Sequence, residues 1–299
     1  MVRPFLIPLA ALLAALSACS GTGLLNALTP SGGYRSAEGV IYDPALHLYL
    51  DIYAPVQAAN APVVVFFYGG RWEEGSPRDF RFVGQALASR GFLTMIPDYR
   101  HYPAVKIPVF VDDAARAVRW TQDQVQRYGG DSKKIFLMGH SSGAHLAAML
   151  ALDPEFFARA GVEPARIKGM VGLAGPYDFL PLTDADLRDM FGPPEKFELS
   201  QPISYVDGAN PPLLLLHGED DETVRVKNTR NLAAAVERAG GPVETFIYPK
   251  MSHPWILATV AAPLRSQSDV LDRVTQFIQR EAAAPPRSAI TPMPTGDKK

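Results

Sequence analysis

The sequence is short of cysteine, of net charge and of long apolar runs. One cysteine in 299 residues excludes an internal disulfide and any C-x-x-C metal or redox motif. A balance of 29 Lys+Arg against 31 Asp+Glu leaves a formal net charge of −2, with no basic footprint for nucleic acid. No self-similar period of roughly 20–50 residues recurs, which excludes solenoids and propellers. The chain is nevertheless 47% hydrophobic and 20% charged, enough apolar material for a large core in one α/β domain or two small ones.

The lone cysteine has a context. Arg3 precedes an almost wholly apolar stretch that ends Leu16-Ser17-Ala18-Cys19. From residue 5 to 18 this is too short for the ~20 residues of a membrane-spanning helix. It fits the apolar region of a secretory signal followed by small residues at a cleavage site. Leu16-Ser17-Ala18-Cys19 resembles the bacterial lipobox. That resemblance implies cleavage before Cys19, lipid on Cys19 and a stable membrane anchor in the cell envelope, with Ser20 favouring the outer membrane. A plain signal peptide with an incidental Cys19 is the alternative. The expected organisation is a signal over 1–18, a tether over 19–36, a domain over 37–284 and a disordered, proline-punctuated tail over 285–299.

Within the domain, strands alternate with helices. The pattern predicts an antiparallel hairpin from residues 40–42 and 48–53, flanking Asp43-Pro44. Apolar runs predict buried strands over 62–67, 92–96, 134–138, 167–174 and 213–216, and a last strand over 243–248. Helical spacing covers 79–90, 108–127, 142–152, 226–239 and 269–283. Such alternation calls for βαβ units and a mainly parallel sheet. Residues 179–205 are short, Pro-interrupted and mixed, and read as an insertion over one edge of the sheet.

Gly139-His140-Ser141-Ser142-Gly143 falls between a predicted strand and a predicted helix. The glycines permit a sharp turn that lifts a strained serine hydroxyl above the sheet. A buried structural serine is the plain alternative. A serine hydroxyl is a weak nucleophile at neutral pH; it needs a base, and the base needs an orienting carboxylate. Of His47, His101, His140, His145, His217 and His253, only His253 follows the last predicted strand, where such a base belongs. The carboxylate should follow the strand over 213–216, where Glu219, Asp220, Asp221 and Glu222 compete.

His217-Gly218-x-x-Asp221-x-x-Val224 resembles the acid loop of the α/β-hydrolase superfamily. Phe66-Phe67-Tyr68-Gly69-Gly70-Arg71-Trp72 is similar to the H-G-G-G-W oxyanion loop of bacterial carboxylesterases related to hormone-sensitive lipase and to feruloyl/acetylxylan esterases. Pro97-Asp98-Tyr99-Arg100, Gly130-Asp131-x-x-Lys134-Ile135 and Gly172-Leu173-Ala174-Gly175-Pro176-Tyr177-Asp178 look like the same family, so the resemblance covers about residues 40–280. It implies an α/β-hydrolase fold: a mainly parallel central sheet, an antiparallel N-terminal hairpin, helices on both faces and a short cap insertion. It implies Asp221 as the acid, with Asp220 the rival, and an oxyanion hole from N–H groups near Gly70 and Arg71 with that of Ser142.

Two positions depart from the family: Tyr68 replaces His, and Arg71 replaces the third Gly. Tyr68-Gly69-Gly70 also resembles the prolyl-oligopeptidase family, where that hydroxyl is an oxyanion donor; a loop anchor is the alternative. Trp72 and Trp255 either line the acyl or alcohol pocket or pack the loops. The leading expectation is a serine hydrolase of small-molecule carboxylic esters, needing no metal or organic cofactor, with the membrane met through Cys19. A peptidase or amidase, an arylformamidase and a non-catalytic lipid-anchored binding protein are the alternatives. Loss of one of Ser141, Asp221 or His253 would mark the last, and all three are present.

Overall fold

The computed structural model describes residues 21–285. Strands β1 (Tyr34–Asp43) and β2 (Leu48–Pro55) form an antiparallel hairpin. Then follow β3 (Ala61–Phe67), β4 (Leu93–Pro97), β5 (Gly130–His140), β6 (Ile167–Leu173), β7 (Leu213–Gly218) and β8 (Val243–Tyr248). All eight join one sheet in the order β1-β2-β4-β3-β5-β6-β7-β8. Strand β2 meets β4 antiparallel, and every pairing from β4 to β8 is parallel. Parallel strands need crossovers, and the helices that make them cover both faces. The central strands are therefore apolar without alternation: Val63, Val64, Val65, Phe66 and Phe67 of β3, and Ile135, Phe136, Leu137 and Met138 of β5, are wholly buried.

The helices are α1 (Gly21–Ala27), α2 (Arg81–Ala88), α3 (Val109–Gln124), α4 (Ser142–Leu152), α5 (Pro154–Ala160), α6 (Ala185–Phe191), α7 (Lys227–Arg238), α8 (His253–Ala258) and α9 (Val270–Ala283). On one face α2 and α9 pack on the sheet, and Arg90 just past α2 pairs with Asp272 of α9 at 2.6 Å. On the other lie α3, α4 and α7. Phe277 of α9 meets the ring of Phe136 at 6.4 Å, and burying each such side chain stabilises the fold by about 1.5–3 kcal/mol. Helix α4 is apolar nearly all round because it runs between β5, α3 and α5, which sets its first residue against the sheet's C-terminal edge.

Three features depart from the sequence pattern. The segment expected as a tether over 19–36 instead holds α1 from residue 21 and the start of β1 from residue 34. Helix α1 is clamped by Asn26, whose Nδ2 donates to the Arg78 carbonyl at 2.8 Å and whose Oδ1 accepts from the Phe82 N–H at 3.1 Å. Helix α5 has no counterpart among the predicted helices: Asp153 caps it by accepting from the Glu155 N–H, and Pro154 sits where no N–H is needed. Residue His253, expected in a loop, opens α8. The insertion over 179–205 folds as α6 and two 3-10 turns, Pro194–Ser200 and Pro202–Tyr205. Cys19, the signal over 1–18 and the tail beyond Pro285 lie outside the described residues.

Candidate active site

The reactive groups gather at the C-terminal ends of the parallel strands, where open α/β sheets hold their ligands. Strand β5 ends at His140, α4 begins at Ser142, and Ser141 turns the corner between them at φ 55, ψ −126. A non-glycine residue there costs roughly 1–3 kcal/mol and persists only where its surroundings fix it. The Ser141 N–H donates to the Leu173 carbonyl at 2.9 Å, and its own carbonyl accepts from Ala144 and His145. A Cβ on Gly143 would stand 2.0 Å from the Phe67 carbonyl oxygen, and one on Gly139 2.2 Å from that of Gly143. Only glycine lets the backbones approach this closely.

His253 Nε2 lies 2.8 Å from Ser141 Oγ, and its Nδ1 lies 2.7 Å from Asp221 Oδ2. An ionised carboxylate can only accept, so Nδ1 carries the proton and the Nε2 lone pair faces the serine hydroxyl. Asp221 is buried; its Oδ1 accepts from the N–H groups of Thr223 at 2.9 Å and Val224 at 2.8 Å. His217 Nε2 stands 3.1 Å from the same Oδ2 while donating to the Val224 carbonyl at 2.7 Å, and its Nδ1 accepts from Thr229 Oγ1 at 2.7 Å. Burial pushes the Asp221 carboxyl up, but the hydrogen bonds from His217 and His253 outweigh it and hold the group well below the ordinary carboxylate range. Asp220 is exposed, so the structure brings Asp221 to the imidazole.

The loop after β3 lies against this corner. A Cβ on Gly69 would sit 2.9 Å from Ser141 Cβ. Gly70, Arg71 and Trp72 all have positive φ, at 143, 56 and 61, and the Gly70 carbonyl accepts from the N–H groups of Glu73 and Glu74. The turn leaves the N–H groups of Gly70 and Arg71 with no acceptor among the described residues. Ser142 is the first residue of α4, so the helix leaves its N–H free as well. Donors without acceptors beside a serine can receive a developing negative charge. The Arg71 guanidinium turns outward to Glu73 at 3.2 Å and to Asp184 of the insertion at 3.0 Å.

Tyr68 is not one of these donors. Its ring is fully buried, stacked between Phe80 at 5.3 Å and Tyr99 at 4.9 Å. Its hydroxyl donates to Asp98 Oδ1 at 2.5 Å and lies 3.2 Å from His101 Nε2. Of the two expectations for Tyr68, this geometry fits the loop anchor: its hydroxyl proton is directed at Asp98, carried on the loop after β4. The phenol is a loop anchor.

Trp72 packs among His145, Phe191 and Phe179 and also lines the cleft; Trp255 is 42% exposed on its rim. The cleft holds about 1330 Å³ and contains Ser141 and His253. Two buried histidines support the site, and His140 also lines the cleft. His140 Nε2 donates to the His253 carbonyl at 3.0 Å, and burial lowers its pKa to about 3. His145 Nε2 donates to the Ser200 carbonyl at 2.8 Å, tying α4 to the insertion, and burial lowers its pKa to about 4. Neither the His140 contact nor the partner of Asp98 is legible locally, because each partner lies far away along the chain. Among the described residues no three His, Cys, Asp or Glu side chains cluster to hold a metal ion.

A family model described as BD-FAE matches residues 50–236. The chain is similar to isoprenylcysteine alpha-carbonyl methylesterase ICME of Arabidopsis thaliana, 27% identical in an alignment that covers 85% of this chain and 66% of that protein. Esterase LipQ of Mycobacterium tuberculosis is 29% identical over 86% of this chain and 66% of its own length. The chain thus spans about two thirds of the length of these curated relatives. Among solved structures, butyrate-bound esterase 2 of the planctomycete Thermogutta terrifontis superposes with a TM-score of 0.70 at 25% identity, covering 86% of this chain and 97% of that one. The same esterase phosphonylated by sarin gives a TM-score of 0.70 over 84% of this chain and 96% of its own.

Proposed function

The chain belongs to the BD-FAE family of α/β-hydrolases, and from that premise we propose that it is a carboxylesterase working through an acyl-enzyme on Ser141. The observation that carries this reading is the relay Ser141 Oγ, His253, Asp221, with links of 2.8 and 2.7 Å. In the first half-reaction Ser141 Oγ attacks the ester carbonyl while His253 Nε2 takes its proton. Asp221 holds the ring in the required tautomer and faces the imidazolium that forms. The carbonyl oxygen becomes negative and is received by the N–H groups of Gly70, Arg71 and Ser142. Collapse of the tetrahedral adduct breaks the bond to the alcohol, which leaves with the proton from His253. Water then repeats the sequence on the acyl-enzyme, giving the acid and free Ser141.

The relatives and the Thermogutta neighbour carry esterase names, which supports an ester over an amide as substrate. The hydrogen bond of Tyr68 to Asp98 supports the same reading, since it occupies the hydroxyl that a peptidase-like oxyanion hole would use. A fluorophosphonate probe tests the reading: intact-mass analysis should show one adduct on the wild type, placed on Ser141 by peptide mapping, and none on Ser141→Ala. Labelling that survives Ser141→Ala would assign the chemistry elsewhere.

We further propose that Cys19 is the lipidated first residue of the mature chain and holds the enzyme on the envelope membrane, the outer one being favoured. The support is the lipobox-like Leu16-Ser17-Ala18-Cys19. No helix among the described residues is long and apolar enough to cross a membrane. Cys19→Ala should leave hydrolysis intact and release the protein from the membrane fraction. Incorporation of an alkyne fatty acid should be lost with it. Unchanged membrane partitioning and labelling of the variant would sink this reading.

A further inference from the structure

Six large hydrophobic side chains are exposed among the described residues, and three of them, Leu24, Leu28 and Trp255, line the cleft that holds Ser141 and His253. Leu24 lies in α1 and Leu28 one residue past it, joined by a hydrogen bond from the Leu28 N–H to the Leu24 carbonyl at 3.1 Å. Positions four apart fall on the same side of a helix, and Leu25 beside them also lines the cleft. Helix α1 buries none of its own residues fully; Leu25 packs partly against the core. The two hydrogen bonds of Asn26 fix its position, and Thr29 Oγ1 closes its C-terminal end on the Leu25 carbonyl at 2.8 Å. A helix pinned by polar groups that turns leucines into a cleft is built as a wall. It lies outside residues 50–236, the part matched by the family model.

We propose that Leu24, Leu25 and Leu28 form one side of a binding cleft for an extended saturated chain, so that the enzyme prefers esters bearing a medium or long alkyl chain over acetates. This rests on the esterase reading above. Leu180 and Leu187 of the insertion line the same cleft. At about 1330 Å³ the cleft exceeds the ~300–1,000 Å³ that accommodates a drug-sized ligand, and an acetyl group would leave most of it filled with water. Each methylene moved from water onto such a surface strengthens binding about fourfold. Leucines that cost the free protein exposed apolar surface are then covered by substrate.

The test uses the mature full-length protein and two series: p-nitrophenyl esters from acetate to decanoate, which lengthen the acyl chain, and methyl to octyl acetates, which lengthen the alcohol. The wild type should gain kcat/KM with length in at least one series. The double variant Leu24→Gln, Leu28→Gln should lower the long-to-short ratio of that series about tenfold. The series that responds tells whether the chain is acyl or alkoxy. A ratio within twofold of wild type in both series overturns the proposal; the single variant Leu28→Gln repeats the measurement should the double variant unfold. If the wild type cleaves no ester, the esterase reading fails by itself. Decanoate binding, followed by tryptophan fluorescence, then decides the cleft: saturable binding weakened by the double variant supports the wall, and no binding refutes it.

Discussion

The Nε2–H of His140 donates to the carbonyl oxygen of His253 across 3.0 Å, with the two rings 4.8 Å apart. One histidine of the serine turn thus holds the backbone of the base. Burial keeps the His140 ring neutral, and the carbonyl, which can only accept, places its one proton on Nε2. His140→Phe retains a ring but loses the donor. It should lower kcat by about 10- to 100-fold with KM little changed, the cost of a small misplacement of the base. Steady-state kinetics beside a melting curve check it; a proportionate loss of folded protein with kcat per folded enzyme unchanged would contradict the positioning role.

Ser141→Ala and His253→Ala should each remove nearly all turnover, and the double variant should be no slower than either, since the three groups act as one unit. Asp221→Asn should cost about 10⁴-fold in kcat, because the amide leaves the ring in the wrong tautomer. The exposed Asp220 should tolerate the same change within a few-fold. Reversed damage at the two aspartates would move the acid to Asp220.

Tyr68→Phe should leave kcat within a few-fold and lower stability by roughly 1–3 kcal/mol, the cost of stranding the partner of a hydrogen bond to Asp98. Urea unfolding and ester kinetics on the same preparation separate the two effects. A hundredfold fall in kcat with unchanged stability would restore the hydroxyl to the oxyanion hole.

His140 and His145 are buried with pKa values lowered from 6.5 to about 3 and about 4. Between about pH 4 and 6.5 the unfolded chain binds protons at these rings that the folded chain refuses. Stability therefore rises with pH across that window, by up to about 1.4 kcal/mol per pH unit for each ring. Asp221 acts lower down: its depressed carboxyl stabilises the fold above the ordinary carboxylate value and is lost as pH falls beneath it. Urea unfolding at several pH values should show the slope, and His145→Gln, which keeps a donor for the Ser200 carbonyl, should flatten it. A wild-type curve level from pH 4.5 to 6.5 would contradict the assignment.

The order of elements was legible because the central strands are buried on both faces and so read as unbroken apolar runs, and because each crossover helix shows its own spacing. The helix over 142–152 and the strand over 243–248 coincide with α4 and β8. What stayed hidden depends on distant partners. Helix α1 is short and glycine-bearing, and its clamp lies 52 and 56 positions away. The role of Tyr68 is decided by Asp98, 30 positions on. A run of four acids offers no local sign of which carboxylate faces an imidazole; the fold of the loop decides it, through the N–H groups of Thr223 and Val224 that grip Asp221. Strand β5 begins at Gly130 rather than 134 because Gly130 pairs with Ala61 across an irregularity, which polar Asp131 and Ser132 disguise.

Ser141 and its base are 112 positions apart, and the base and its acid 32. A growing chain completes β5 and the serine turn while the imidazole is still unmade, and β8 must dock on the sheet's far edge before α8 can present it. Such long-range pairings form late and slowly. On the proposed mechanism the Ser141 hydroxyl has no base until the segment carrying His253 has been made and seated, so the unfinished chain would hold an ordinary alcohol at that corner.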